Sequence, residues 1–370
     1  MEIKKKKRVI ISVINDLVTD QRVHKVATSL HNNGYEVLLI GRIMQYTYAP
    51  VKREYATKRF KILFKRKAIF YISYNIRLFL YLLFVRADIF LSNDTDTLLA
   101  NYYAAKIRRK KLVFDAHEMF PELPELVGRK RVRKVWETIE NHLFPKLKYS
   151  YTVCQPIADI YKEMFGINMQ VIRNVPITKP YIKRQNEKHD KFILLYQGAI
   201  NIGRGLDRMI DAMQYIDNMV FYIAGDGDIV LEMKKYVEDR KLNEKVEFLG
   251  RIPFEELAEI TSSADLGISL LDNLGLNYYY SLPNRIFDFA HAGVPVLATD
   301  FPEIHNILTE YSIGELITDE SPEALANSIK EAIEKWTKMD PDTRNNIFFR
   351  ARKELCWEQE EKKLIEIFES

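Results

Sequence analysis

The sequence predicts an α/β protein made of two open, parallel-sheet domains in tandem. Three observations carry that prediction. Short apolar runs alternate with segments of helical period along nearly the whole chain, as expected of parallel strands buried on both faces by crossover helices. The alternation comes in two series, parted at residues 176–191 by "PITKPYIKRQNEKHDK", which has two prolines and no apolar periodicity and reads as a linker. Finally, 370 residues with 47% hydrophobic content exceed the size at which one core usually stops growing.

The first series opens with a strand over residues 8–14, "RVIISVI", a helix from about 20 to 33 ended by Gly34, and the strand "EVLLIG", together a βαβ unit. It continues with the strand "ADIFLS" (87–92), a helix over "DTLLANYYAAKIRR", and the strands "KLVFDA" (111–116), "YSYTVC" (149–154) and "QVIRNV" (170–175). The second series has strands at 192–198, 219–225, 246–250, 266–271, 295–300 and 314–318. Helices are expected near 205–215, 228–240, 254–263 and 283–292. Domain limits of 1–178 and 179–356 follow. Ligands of such sheets collect at the carboxyl ends of the strands, and two facing domains would form a cleft there.

Charge is unevenly spread. Lys and Arg number 32 against 16 Asp and Glu in residues 1–178, and 23 against 35 in the remainder, so the halves carry +16 and −12. The first half is suited to an anionic partner. Its densest stretch, "KREYATKRFKILFKRK" (52–67), interleaves eight basic residues with aromatic and aliphatic ones and one Glu. It feeds "AIFYISYNIRLFLYLLFV" (68–85), read as an amphipathic or buried helix because Asn75 and Arg77 interrupt it. This pattern fits an anionic membrane surface engaged through residues 52–85. No nucleic-acid-binding module accompanies the charge. Two cysteines, Cys154 and Cys356, are too few for a disulfide framework or a thiolate metal cluster and fit a reducing cytoplasm. The lysine-rich start precedes too short an apolar run for an export signal.

Three stretches carry chemistry. In "LPNRIFDFAHAGVPVLATDFPEI", Pro283 suits the first helical turn and Gly293 a left-handed stop. Asn284, Arg285 and Asp288 then share one face of a short helix. Its free N–H groups favour an anion such as a diphosphate, and Asp288, one turn inside, can accept two hydrogen bonds from vicinal ribose hydroxyls. In "YQGAINIGRGLDRMIDAM" (196–213), Gly198, Gly203 and Gly205 permit close backbone approach, and Arg204 offers a planar fork to phosphate oxygens. "AGDGD" adds a second strand-to-helix glycine turn at Gly225. In "FDAHEMFPE" (114–122), His117 stands at a strand end, fit to bond a substrate hydroxyl or shuttle a proton, with Glu118 to orient it. Neither HExxH nor a clustered His/Cys set is present, so no metal site is expected.

Together with "TDQRVHKVATSLHNNGYEVLLIGR" and "FLGRIPFEELAEITSSADLGISLL", these stretches resemble, in order and over nearly the whole chain, the family 4 glycosyltransferases. That resemblance implies two Rossmann-like domains facing across a cleft, the GT-B arrangement. It implies a nucleotide-sugar donor such as a UDP- or GDP-sugar, no separate cofactor or metal, retention at the transferred carbon, and a C-terminal helix (about 357–370) packing back on the first domain. Carried over by position, Asp288 takes the ribose-binding place and Arg204 the diphosphate-binding place. Arg251, Ile252 and Pro253 would offer backbone to the base, and His117 would lie beside the donor sugar. The chain departs from the family pattern at Tyr280, where a glutamate is usual, at Ala199, where an arginine is common, and at "NDLVTDQRV", which replaces a glycine-rich loop. The expected activity is transfer to an acceptor hydroxyl, as on a lipid-linked saccharide in cell-surface polysaccharide synthesis, by a peripheral enzyme at the inner face of the cell membrane. The alternatives are a catalytically inactive nucleotide-sugar-binding partner and a nucleotide-sugar epimerase.

Overall fold

The structure is a computed structural model that describes residues 6–18, 20–44, 52–62, 67–123, 126, 128–178 and 191–370. The chain separates into two compact units, Met1–Asn174 with Glu360–Ser370, and Val175–Gln359.

In the first unit the elements run β1 (Arg8–Ser12), α1 (Gln21–Asn32), β2 (Glu36–Arg42), β3 (Ala56–Phe60), α2 (Lys67–Phe84), β4 (Ile89–Asn93), α3 (Thr95–Arg108), β5 (Lys111–Ala116), α4 (Lys130–Leu143), β6 (Tyr149–Thr152), α5 (Gln155–Phe165) and β7 (Gln170–Val171). The strands form one parallel seven-stranded sheet ordered β3-β2-β1-β4-β5-β6-β7. The order reverses between β1 and β4, which opens a crevice outside their carboxyl ends. Phe70, Tyr74, Leu78 and Leu82, four apart on α2, bury one stripe of that helix against Ile10, Leu38 and Ile40 of the sheet.

Part of the basic stretch therefore has a structural role as well as a charge. Residues 56–60 are an edge strand, paired in parallel with β2, and exposed Lys58 with half-buried Arg59 blunts that edge against further pairing. The alternation that marks β3 is weak because only Phe60 is buried. Residues 63–66 of the basic stretch and 179–190 of the linker lie outside the described residues.

One buried ion pair ties the unit together. Asp20 caps α1 by accepting the Val23 N–H at 2.9 Å, which fixes Arg22 in the first turn. Arg22 then donates from Nε and Nη2 to the two Asp115 carboxylate oxygens at 3.0 and 2.7 Å, and from Nη1 to the Ile172 carbonyl at 3.3 Å. Arg22 and Asp115 are both buried, so the pair links α1 to the end of β5, and Arg22 also reaches the chain just after β7.

The second unit runs β8 (Phe192–Gln197), α6 (Leu206–Ala212), β9 (Met219–Ala224), α7 (Val230–Asp239), β10 (Val246–Gly250), α8 (Phe254–Ser263), β11 (Leu266–Ser269), α9 (Leu276–Tyr279), α10 (Asn284–Ala292), β12 (Val296–Thr299), α11 (Pro302–Tyr311), β13 (Gly314–Ile317), α12 (Pro322–Lys338), α13 (Pro341–Glu354) and α14 (Trp357–Glu369). Its parallel sheet is ordered β10-β9-β8-β11-β12-β13, so the crevice opens between β8 and β11. From Glu360 onward α14 belongs to the first unit, where Glu360 accepts the Arg173 N–H at 3.1 Å and the Ile367 carbonyl accepts from Lys111.

Breaking the Arg22–Asp115 pair leaves one charge buried and unanswered. Arg22→Ala or Asp115→Ala is expected to destabilise the first unit by about 3 to 5 kcal/mol, read as a lowered denaturant midpoint, whereas Arg8→Ala, which loses the partly exposed pair with Glu36, shifts it by about 1 kcal/mol or less.

Candidate functional site

Helix α10 sits where the sequence places it, with both ends fixed. Pro283 is its N-cap in extended geometry, and Gly293, at φ 73°, is its left-handed stop, with the Val294 N–H returning to the Phe289 carbonyl at 2.9 Å. The three polar residues of its presumed common face are sorted by depth. Asn284 is exposed, Asp288 is half-buried, and Arg285 is 7% exposed.

Arg285 turns inward because an aromatic ring receives it. Its guanidinium carbon lies 4.2 Å from the centre of the Tyr196 ring at the end of β8. A side chain at Gly198 would crowd it, since a Cβ there would stand 3.2 Å from Arg285 Nη2, and φ is 135° at that residue. Arg285 Nη1 is buried and has no hydrogen-bond partner. Burial, and then the neighbouring Arg204, pull its pKa below the usual arginine value.

Arg204 lies in the turn between β8 and α6. Its guanidinium carbon stands 4.7 Å from the centre of the Tyr278 ring, and its Nε is also buried without a hydrogen-bond partner. Among the described residues neither arginine forms an ion pair. Guanidinium groups keep their charge in proteins, and an uncompensated cation out of water costs several kcal/mol. Two neighbouring cations with buried, unused donors at a strand-end crevice can receive an anion, and their planar forks match phosphate oxygens.

Asp288 is held by a relay from α8. Thr261 Oγ1 donates to Gln197 Oε1 at 2.8 Å, and Gln197 Nε2 donates to Asp288 Oδ2 at 3.1 Å. The carboxylate is thereby tied to the same strand end as Gly198. Gly225, at the end of β9, packs onto this point so closely that a Cβ would fall 1.8 Å from the Gly198 carbonyl oxygen. Gly203 lies in the Arg204 turn, while Arg251, Ile252 and Pro253 follow β10 at the sheet edge, two strands from β8.

In the first unit His117 and Glu118 follow β5, beside the β1–β4 crevice. A carboxylate that the sequence reading did not single out, Asp94, organises them. Asp94 Oδ1 accepts the backbone N–H groups of His117 and Glu118 at 2.9 and 3.3 Å, and its Oδ2 lies 3.9 Å from His117 Nδ1. Asp94 holds φ 59° and ψ 167°, a region that costs a residue with a side chain about 1 to 3 kcal/mol. Burial, followed by Glu118, Asp96 and Asp115, raises its pKa well above the carboxylate range. Asp96, in the first turn of α3, is pushed up to about 8, chiefly by burial and then by Glu118. Asp96, beside Glu118, thus keeps its proton near neutral pH and can donate a hydrogen bond, while burial shifts Asp94 in the same direction.

Tyr196, Gln197, Thr261, Tyr278 and Asp94 were missed in the sequence. Tyr196 and Gln197 were legible as neighbours of Gly198, and Asp94 as the polar residue directly after an apolar strand. Thr261 and Tyr278 reach the site only through contacts distant in the chain.

Comparison with known proteins agrees with this geometry. The family description "Glycosyltransferase Family 4" matches residues 20–176 and "Glycosyl transferases group 1" matches residues 178–353. Among curated relatives, an alpha-monoglucosyldiacylglycerol synthase of Streptococcus pneumoniae is 28% identical over 39% of this chain and 31% of its own length. An uncharacterized glycosyltransferase of Methanocaldococcus jannaschii is 22% identical over 65% and 64%, and a chitobiosyldiphosphodolichol beta-mannosyltransferase of Debaryomyces hansenii 23% over 60% and 54%. The chain thus spans about a third to two thirds of the length of these relatives. Among solved structures, a sucrose-phosphate synthase from Thermosynechococcus elongatus shares the fold at TM-score 0.79 and 16% identity, covering 98% of both chains. An Anabaena protein, HepE, in complex with UDP-glucose does so at TM-score 0.74 and 14% identity, covering 98% of this chain and 99% of that one. With one family description on each unit and two parallel-sheet units of matching fold, the chain belongs to the GT-B glycosyltransferases, with a family 4 domain followed by a group 1 domain.

Proposed function

We propose that this protein moves a sugar from a nucleotide-diphosphate sugar to an acceptor hydroxyl, with retention of configuration and without a metal ion. The observation that carries the proposal is the pair Arg204 and Arg285, two cations with buried, unused donors beside a glycine turn and a helix N-terminus. A diphosphate supplies the missing negative charge. Charge grows on it as the glycosidic bond breaks, and fixed guanidinium groups stabilise that growth without reorganising. Asp288 accepts the ribose hydroxyls, and the backbone at Arg251, Ile252 and Pro253 meets the base. Arg285 makes up for the arginine absent at Ala199. The HepE complex with UDP-glucose supports a uridine donor, with a GDP-sugar as the alternative.

The transferred carbon passes through an oxocarbenium-like state. Same-face attack needs no protein nucleophile, because the departing phosphate oxygen takes the proton of the incoming hydroxyl. In this scheme His117 bonds a sugar hydroxyl, with Glu118 and Asp94 around it. The rival reading, a binding partner without catalysis, is favoured by Tyr280, a phenol where the family carries a carboxylate.

The acceptor is a lipid-linked saccharide in cell-surface polysaccharide synthesis, reached from the inner face of the cell membrane. Two relatives, named for diacylglycerol and dolichol products, support a lipid acceptor. Support for the surface comes from α2. Opposite its buried stripe, Ile69, Ile72, Ile76, Leu80 and Phe84 are each more than half exposed and lie on a single face. Residues 67–84 contain no Asp or Glu, and exposed Lys58, Lys61 and Arg77 flank the stripe. Apolar area with a basic rim suits an anionic bilayer, each nearby Lys or Arg adding about 1 kcal/mol. Among the described residues no helix is long and apolar enough to cross a membrane.

Purified protein incubated with UDP- and GDP-sugars is expected to raise its melting temperature with one of them and to release the diphosphate once acceptor is added. Binding without turnover would favour the non-catalytic reading, and release of an altered donor sugar without acceptor an epimerase. Asp288→Ala loses hydrogen bonds to a charged group, about 1.5 to 3 kcal/mol, so donor affinity should fall about 10- to 100-fold.

Arg285→Met should separate stability from binding. Replacing an unpaired buried charge by an apolar chain is expected to raise the ligand-free melting temperature, by analogy with buried ion pairs worth about 1 to 4 kcal/mol, and to abolish the thermal shift given by the donor. A variant that melts earlier yet still binds would place the arginine outside the anion site.

Ile72→Asn/Ile76→Asn/Leu80→Asn should cut co-sedimentation with phosphatidylglycerol vesicles at least tenfold while leaving donor binding intact. Unchanged sedimentation would remove α2 from any membrane contact.

A further inference from the structure

Beside the arginine pair stands a third arginine whose charge is fully engaged. Arg208, on α6 one turn after Arg204, holds Asp272 through Nη1 at 2.5 Å and Glu320 through Nη2 at 2.6 Å. All three side chains are at most 30% exposed. Asp272 follows β11 and Glu320 follows β13, so one guanidinium gathers two carboxylates from separate strand ends. Glu320 also accepts from Thr299 Oγ1, and that oxygen accepts the Leu271 N–H at 3.0 Å.

This cluster is attached directly to the Arg204 turn. The Asp272 N–H donates to the Gly203 carbonyl at 3.0 Å, one residue before Arg204. The segment that follows Asp272 lies flat on the turn: a Cβ at Gly203 would come within 2.6 Å of Leu274 Cδ1 and 2.8 Å of Tyr278 Cε2. Tyr278 is the ring that carries Arg204. The cluster holds one positive and two negative charges, so it has a carboxylate to spare at the edge of a site made of uncompensated cations. Two carboxylates released there would compete with an anionic ligand for Arg204.

We propose that Arg208 is a positioning residue that confines Asp272 and Glu320, and thereby keeps Arg204 and Arg285 open to a diphosphate. The inference rests on the diphosphate reading of the site. It concerns a residue that does not touch the ligand and acts through the carboxylates it restrains.

Titration calorimetry with UDP, GDP and inorganic pyrophosphate tests it on the full chain. Arg208→Met is expected to weaken whichever of these the wild type binds at least tenfold. Arg208→Met/Asp272→Asn/Glu320→Gln, which removes the released charges, should return affinity to within about threefold of wild type. A triple variant as weak as Arg208→Met would mean the arginine only shapes the fold, and an Arg208→Met protein that binds normally would end the proposal outright. If Arg208→Met does not fold, Asp272→Asn/Glu320→Gln decides, because it frees Arg208 as a third cation. It should bind pyrophosphate at least as tightly as wild type, and weaker binding overturns the idea. A wild-type protein that binds none of the three probes defeats the diphosphate reading itself, and this inference with it.

Discussion

Two neighbouring guanidinium groups with no counter-charge among the described residues, Arg285 buried and Arg204 partly so, are the constraint around which this end of the second unit is arranged. A protein can keep such groups only if their surroundings leave few other conformations, and each arginine here lies over an aromatic ring that supplies quadrupole attraction and excludes water. The rings come from different places: Tyr196 from the end of β8 and Tyr278 from the short helix α9. Their placement therefore depends on the register of β8 against β11 and on the turn that precedes α10. Gly198 answers the same demand, because the buried guanidinium beside it would crowd a side chain there and its φ of 135° disfavours one.

That dependence explains which parts of the molecule were legible in the sequence. The strands were readable because buried parallel strands are nearly continuous apolar runs, and five of the six in the second unit begin at the predicted residue, while "PVLATD" lost its leading proline and its final aspartate. Helix α10 was readable because Pro283 and Gly293 mark its ends by local backbone chemistry. β3 was hidden, as only one of its five residues is buried, and its Lys and Arg read as surface charge. The α9 turn was hidden too, being four residues whose helical conformation follows Gly275 and gives no periodic signal. For the site, spacing alone grouped Arg285 with Asn284 and Asp288 on one face. Spacing gives direction around an axis but not depth, and depth here is decided by Tyr196, ninety residues away in the chain.

The departures from the family pattern acquire a physical meaning in this setting. Loss of an arginine at Ala199 removes a cation from the glycine turn, yet the Arg285 guanidinium reaches the space above Gly198 from α10 instead. A positive charge at the glycine turn is thus kept, while its source moves from a loop to a helix whose ends are marked by Pro283 and Gly293. A helix-borne group of this kind is held more firmly than one on a loop. Tyr280 differs in kind, since a phenol cannot supply the negative charge of a carboxylate. It packs edge-on against Tyr279, whose ring also meets Phe301.

The two units differ in their electrostatics. The second concentrates unanswered cations, which suits a leaving group that becomes more negative. The first concentrates acids near His117 whose pKa values are raised, Asp96 to about 8 and Asp94 well above its ordinary value. With its pKa at about 8, Asp96 presents an O–H donor near neutral pH rather than a full negative charge. A sugar hydroxyl, which is neutral and both donates and accepts, is bound well by such donors and by a backbone turn held in strained geometry. A phosphate with its charge is bound well by the arginines. Ionised carboxylates repel one another and any anion nearby, so the burial that raises these pKa values lowers the electrostatic cost of gathering several carboxyl groups in one unit.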